Sequence, residues 1–257
     1  MEITFLGTGT SHGVPVIGCT CPVCLSSDPR NKRLRTSIHI LTQEISLMVD
    51  TTPDFRYQCL REGINRVDAV LYTHSHVDHI LGFDDLRRFC EMESKSIPVY
   101  GSERTLADLA RVFKYAFDGS ARYANYVRPD PKLLAGPFSI GDLEVTPVEL
   151  PHGRMVTNGF VFTKSGKRLF AYFTDCAGVP AEAEESARDV DVLVIDALRQ
   201  ESHQTHFTIA GAIDAARRIR AKKTFLIHMC HDVGHEETES LLPSDIRLSY
   251  DGLRLEF

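Results

Sequence analysis

The stretch DAVLYTHSHVDH, residues 68–79, passes from an apolar run straight into His74, His76, Asp78 and His79. An apolar run of this length reads as a buried strand. The four metal-compatible side chains follow at its end. In a tight loop His74 and His76 face one side and Asp78 and His79 the other, so one loop can serve two cations. Imidazole and carboxylate together suit zinc, manganese or iron and leave positions open for water. A lone histidine would read as an ordinary loop residue, but three plus an aspartate at this spacing point to metal.

The same placement recurs along the chain. EISLMVD (44–50) reads as a strand ended by Asp50, His152 follows LEVTPVEL (143–150), Asp175 ends RLFAYFTD (168–175) and His228 follows KTFLI (223–227). The last three put a candidate ligand at the C-terminal tip of an apolar strand, where open α/β architectures place their chemistry. Further strands are expected at 2–7, 35–41, 97–102, 158–163 and 190–196. Helices are expected at 53–63, stopped by Gly63, and at 81–92, 103–117 and 207–221. The proline-containing stretch near 128–137 reads as a loop. No linker or low-complexity segment divides the chain, so one α/β domain over 1–257 is expected, with two sheets packed together and helices outside.

Composition narrows the function classes. The 257 residues carry 43% hydrophobic and 25% charged residues and a formal net charge of −6. That balance argues against a broad nucleic-acid-binding surface. The opening MEITFLGTGTS turns polar too soon for a secretion signal, and no apolar run is long enough to span a membrane, so a cytoplasmic protein is expected. Seven cysteines is an odd count for a compartment that keeps thiols reduced. Three of them, Cys19, Cys21 and Cys24, stand in GCTCPVC (18–24), where metal binding is a better reading than a disulfide framework. A tetrahedral zinc needs a fourth ligand from elsewhere.

The H-x-H-x-D-H pattern of His74, His76, Asp78 and His79, taken with His152, Asp175 and His228, resembles the metallo-β-lactamase-fold hydrolases. The resemblance covers essentially the whole chain and implies an αββα sandwich of two mixed sheets with helices on the outer faces. It implies that His74, His76 and His152 hold one divalent metal, that Asp78, His79 and His228 hold a second, and that Asp175 bridges them. The ions would be zinc or manganese, sharing a hydroxide nucleophile, with Asp50 supporting the metal loop. A narrower resemblance is to the phosphoribosyl cyclic phosphate phosphodiesterases of the carbon–phosphorus lyase pathway. It implies a structural zinc on Cys19, Cys21, Cys24 and His231, with Cys230 as the rival fourth ligand. It also implies that His206, in THFTIAGA, assists the leaving group, so that His206 and Asp78 are the catalytic groups beside the metals.

On this reading the substrate is a small phosphodiester, with cyclic ribose phosphates included, and a homodimer is implied by resemblance. An acyl (thioester or lactone) hydrolase is the alternative, since the same nucleophile attacks acyl carbons. A tRNA 3′-processing nuclease shares the metal ligands, but its long arm has no room in residues 153–174, between His152 and Asp175. The pyrroloquinoline quinone biosynthesis protein shares the cysteine loop but departs from the full histidine signature. Arg35 and Arg154 are candidate phosphate contacts, and His12 a candidate at the entrance. His39 and His235 read as structural, and His203 as less well placed than His206.

Overall fold

Every long apolar run becomes a strand in the computed structural model of the chain, which describes residues 1–119 and 125–257. Among the described residues the strands are β1 (Glu2–Gly7), β2 (Ser37–Leu41), β3 (Ser46–Val49), β4 (Ala69–Leu71), β5 (Ile97–Gly101), β6 (Pro129–Leu133) and β7 (Phe138–Ile140). They continue as β8 (Leu143–His152), β9 (Met155–Lys164), β10 (Lys167–Phe173), β11 (Val192–Asp196), β12 (Lys223–Ile227), β13 (Ile246–Leu248) and β14 (Arg254–Glu256). They form two seven-stranded mixed sheets, in the orders β14-β1-β2-β3-β4-β5-β6 and β13-β12-β11-β10-β9-β8-β7.

Each sheet is antiparallel on one side and parallel on the other. β1, β2 and β3 pair antiparallel and β3 to β6 parallel. In the second sheet β7 to β10 are antiparallel and β10 to β13 parallel. Side chains of a strand alternate between faces, which explains three apolar layers. Leu47, Val49, Ala69 and Leu71 face Phe160, Phe170, Val192 and Val194 between the sheets. Met48 and Val70 instead face helices on the outside of the first sheet, with Phe55, Cys59 and Phe89. Leu193 and Ile195 likewise meet Ala212, Ala215 and Ile219 of the helix Ile209–Ile219. The result is the expected αββα sandwich.

Several local expectations change. The stretch near 128–137 contains β6, an edge strand, where Pro129 and Pro131 are tolerated because edge positions need not donate to a neighbour. The helix expected over 81–92 is a 3-10 turn, Phe83–Leu86, followed by an α-helix, Arg87–Met92. That over 103–117 breaks at Phe113. The helix Phe55–Glu62 stops as expected at Gly63, whose φ of 67° suits a residue without Cβ.

Candidate metal centre

The strand tips converge on one edge of the sandwich. β4 ends at Leu71, and its loop carries His74 and His76 into the short helix Val77–Ile80, which bears Asp78 and His79. β8 ends on His152, ahead of the turn Gly153–Arg154. β3, β10 and β12 deliver Asp50, Asp175 and His228, each with left-handed backbone: φ is 64°, 54° and 64°. Asp and His enter that region more readily than most residues, and such outliers concentrate at functional sites. The loop of the first sheet is tied to the second sheet, since Asn158 donates to the Thr73 carbonyl from its backbone (2.8 Å) and from its side-chain amide (3.1 Å).

Two donor groups result. In one, ligand atoms of His74, His76 and His152 lie within 4.8 Å of one another; in the other, those of Asp78, His79, Asp175 and His228 do. Asp175 reaches both groups, with its oxygens 3.9 Å from His74 Nε2, 3.3 Å from His79 Nε2 and 3.2 Å from His228 Nε2. All of these side chains except His76 are buried.

Hydrogen bonds aim the rings. Asp50 accepts from Thr73 N–H (2.8 Å) and from Thr73 Oγ1 (2.8 Å), and its Oδ2 lies 2.7 Å from His79 Nδ1. A proton on that Nδ1 leaves His79 Nε2 free to ligate. His152 Nδ1 donates to the Thr205 carbonyl at 2.9 Å, with the same consequence. Asp50 thus touches the Thr73 segment and the His79 ring together.

The residues fit divalent cations. His79 Nε2 and both ring nitrogens of His228 are buried without a hydrogen-bond partner, and such orphans carry a desolvation cost unless something else satisfies them. His74 Nε2 and His76 Nδ1 lie 2.8 Å apart and need a proton or a cation between them. Burial would raise the Asp78 carboxyl, yet the charge of His79 beside it holds it well below the usual range. Burial would depress His79, but Asp175, Asp78 and Asp50 together hold it well above. The pocket thus attracts positive charge.

His206 precedes the helix Ile209–Ile219, and its ring stacks on His228 with centroids 4.7 Å apart. Its Nδ1 lies 2.6 Å from Asp196 Oδ2, an aspartate the sequence reading missed. Asp196 is fully buried at the tip of β11 and also accepts from Cys176 N–H at 3.1 Å. The signal that could have found it is its position, the same strand-tip placement as Asp50 and Asp175. Burial alone would lower His206, but the Asp196 carboxylate raises it to about 9.

The cysteine loop has its partner. The Sγ atoms of Cys19, Cys21 and Cys24 lie 3.3, 3.4 and 3.7 Å from His231 Nδ1. Cys21 N–H points at Cys19 Sγ, Cys24 N–H at Cys21 Sγ and Val16 N–H at Cys24 Sγ, a set of donors suited to thiolates. The Cys24 amide, with His231 and the other thiols, holds Cys21 down at about 6. Cys230 engages Asp232 instead and lies outside the cluster. Arg35 is engaged with Asp54 (3.1 Å) and the Ser11 carbonyl, whereas Arg154, His12 and His203 are exposed. His39 and His235 are buried away from the centre.

Ownership of the donors is divided. Asp50, His74, His76, Asp78 and His79 come from the first sheet, and His152, Asp175, Asp196 and His228 from the second. The cysteine cluster is divided in the same way between residues 19–24 and His231.

Comparison with known proteins agrees with this geometry. Residues 46–229 match the family described as beta-lactamase superfamily domain. The chain is 37% identical over 262 residues to an octanoyltransferase of Porphyromonas gingivalis, a match covering 98% of this chain but only 51% of that protein. It is thus about half the length of that relative. Coenzyme PQQ synthesis protein B of Methylorubrum populi is 31% identical over 222 residues, 76% of this chain and 72% of that one. A crystal structure described as a new diphosphatase from the PhnP family is 40% identical, with a TM-score of 0.91 over 100% of this chain and 97% of that one. Among the described residues no helix is long and apolar enough to cross a membrane. With the two-sheet sandwich and the donor-lined edge already in place, these matches make the chain a member of the beta-lactamase superfamily, of metallo-β-lactamase fold and similar to a PhnP-family protein.

Proposed function

We propose that the chain is a dinuclear metal-dependent phosphodiesterase acting on a small phosphodiester, with cyclic ribose phosphates among the first candidates. The observation that carries this reading is the pairing of two adjacent donor groups, shared through Asp175, with the His206–Asp196 couple beside them. His74, His76 and His152 would hold one ion; Asp78, His79 and His228 the other. Divalent cations there would supply Lewis acidity toward phosphoryl oxygens and an ionised water at neutral pH.

The chain's own residues do the rest. Asp50 and the Thr205 carbonyl fix the tautomers of His79 and His152. Asp196 holds the Nδ1 proton of His206, orients the ring and keeps it cationic at neutral pH. His206 has a ligand atom within 4.8 Å of those of His152 and Asp175, close enough to give a proton to a departing alkoxide. The similarity to a protein described as a diphosphatase of the PhnP family supports phosphoryl chemistry. We further propose a single domain, a structural zinc on Cys19, Cys21, Cys24 and His231, and a cytoplasmic protein that does not act on nucleic acid.

An acyl hydrolase is the second reading, favoured by the similarity to a protein described as an octanoyltransferase. One experiment separates the two. Purified protein reconstituted with zinc or manganese is assayed against bis(p-nitrophenyl) phosphate and p-nitrophenyl octanoate, with metal counted by mass spectrometry. Metal-dependent cleavage of the diester, absent in Asp175→Ala, is the expected result. Cleavage of the ester alone transfers the assignment to acyl chemistry.

A further inference from the structure

Arg33 is among the largest fully buried side chains, 1% exposed, and its hydrogen-bond partners are neutral oxygens. Nη1 donates to the Cys230 carbonyl at 2.9 Å, and Nη2 to the Val233 carbonyl at 2.7 Å and to Asn31 Oδ1 at 3.1 Å. Burying a guanidinium among neutral acceptors carries a desolvation cost that a simple packing role would not require.

The two carbonyls are the first and last of one turn. Val233 N–H bonds back to the Cys230 carbonyl at 3.3 Å, and His231 and Asp232 are the central residues. The main chain of Arg33 meanwhile exchanges two bonds with Val14, at 2.8 and 2.7 Å, just ahead of the cysteine loop. Asn31 Oδ1 also accepts from His235 N–H at 2.9 Å, and Asn31 Nδ2 donates to Ser26 Oγ at 3.1 Å. The backbone of Arg33 thus belongs to the side that carries the thiols, and its side chain grips the turn that carries His231. His228 lies two positions before that turn.

We propose that Arg33 is a positioning residue that presets His231 over the three thiols before metal arrives and fixes the path of the chain leaving His228. Only a planar fork spans both ends of a turn; an ammonium is a point charge and holds one end. The inference rests on the Cys₃His zinc assignment and not on the choice of substrate.

The test compares zinc-loaded wild type, Arg33→Lys and Leu109→Ala, the last being a remote core change on the outer face of the first sheet. Release of the cysteine-bound zinc to a chromogenic chelator is followed below the melting range of all three. The thiolate-to-metal band of the cobalt-substituted proteins is recorded in parallel. Loss of a group that orients a ligand weakens metal binding by about 10–100-fold, so Arg33→Lys should release zinc about tenfold faster and alter the cobalt band. Leu109→Ala should match wild type in both. Release from Arg33→Lys indistinguishable from wild type, or an equal change in Leu109→Ala, overturns the proposal. If Arg33→Lys does not fold, Asn31→Ala, which removes one anchor of the fork, is measured in its place, and unchanged release there overturns the proposal equally. A wild-type protein that takes up no metal on its cysteines ends both the zinc assignment and the inference; unchanged release in the variant ends only the inference.

Discussion

His206 is oriented by one buried carboxylate, so its contribution should depend on how much help the departing group needs. His206→Asn should slow turnover of an alkyl phosphodiester by about 10²–10⁴-fold, the usual range for a positioned general acid. Bis(p-nitrophenyl) phosphate, whose leaving group departs unaided, should lose far less. Equal losses on both substrates would make His206 a binding group. Because Asp196 raises His206 to about 9, an acid in the proposed role would be present below that pH and lost above it. The alkyl substrate should therefore show a falling basic limb that the nitrophenyl substrate lacks. Asp196→Asn should move that limb to lower pH. The clustering of donor side chains was legible because three histidines and an aspartate crowd into residues 74–79. Asp196 ends VLVID at a strand tip just as Asp175 ends RLFAYFTD, so its position could have marked it as a candidate, but its partner His206, ten residues on, became visible only in the fold.

At the scale of elements, the short helix Val77–Ile80 is held by a close approach. A Cβ on Gly82 would come 2.1 Å from the Thr52 carbonyl oxygen and 2.5 Å from Phe55 Cβ. Gly82→Ala should thus push the helix carrying Asp78 and His79 away from the Asp50 segment. We expect about 1–3 kcal/mol of lost stability, the range for overpacking, together with weaker metal retention; chemical denaturation and metal analysis would check both. The β2–β3 hairpin carries a different signature. His39 lies in it with Nε2 2.8 Å from Ser46 Oγ, and burial, aided by Arg254, pushes it down to about 4. The unfolded chain takes up this proton near pH 6.5, so stability is complete above that pH and falls as the pH drops from about 6.5 to 4. The contribution is on the order of 2–3 kcal/mol. His39→Gln should flatten that decline in urea titrations at pH 7 and pH 5. The longer strands were legible from apolar runs. The three-residue β7, β13 and β14 were too short to show one, and β6 escaped because PDPKL lacks the apolar alternation that marks a strand and pairs only at a sheet edge. The helices Ala181–Ser186 and His235–Leu241 also escaped, because acid-rich segments this short bury too little to impose a pattern.

Across the whole molecule, cations that bind only the folded chain add to its stability by mass action. Stripping them with a chelator should lower the melting temperature by on the order of 10 °C, recoverable with zinc or manganese. A chelator-insensitive melt would mean that the donors are satisfied by protons alone. The divided ownership of the donors has a further consequence. If the backbone were cut at Gly136, where an added Cβ would meet nothing within 4 Å, neither fragment would own a complete set for any of the proposed ions. The cations would then act as mortar between two bricks. Fragments 1–136 and 137–257, expressed apart, should find each other far better with metal than without, and reassembly should report on free metal in the solution around them.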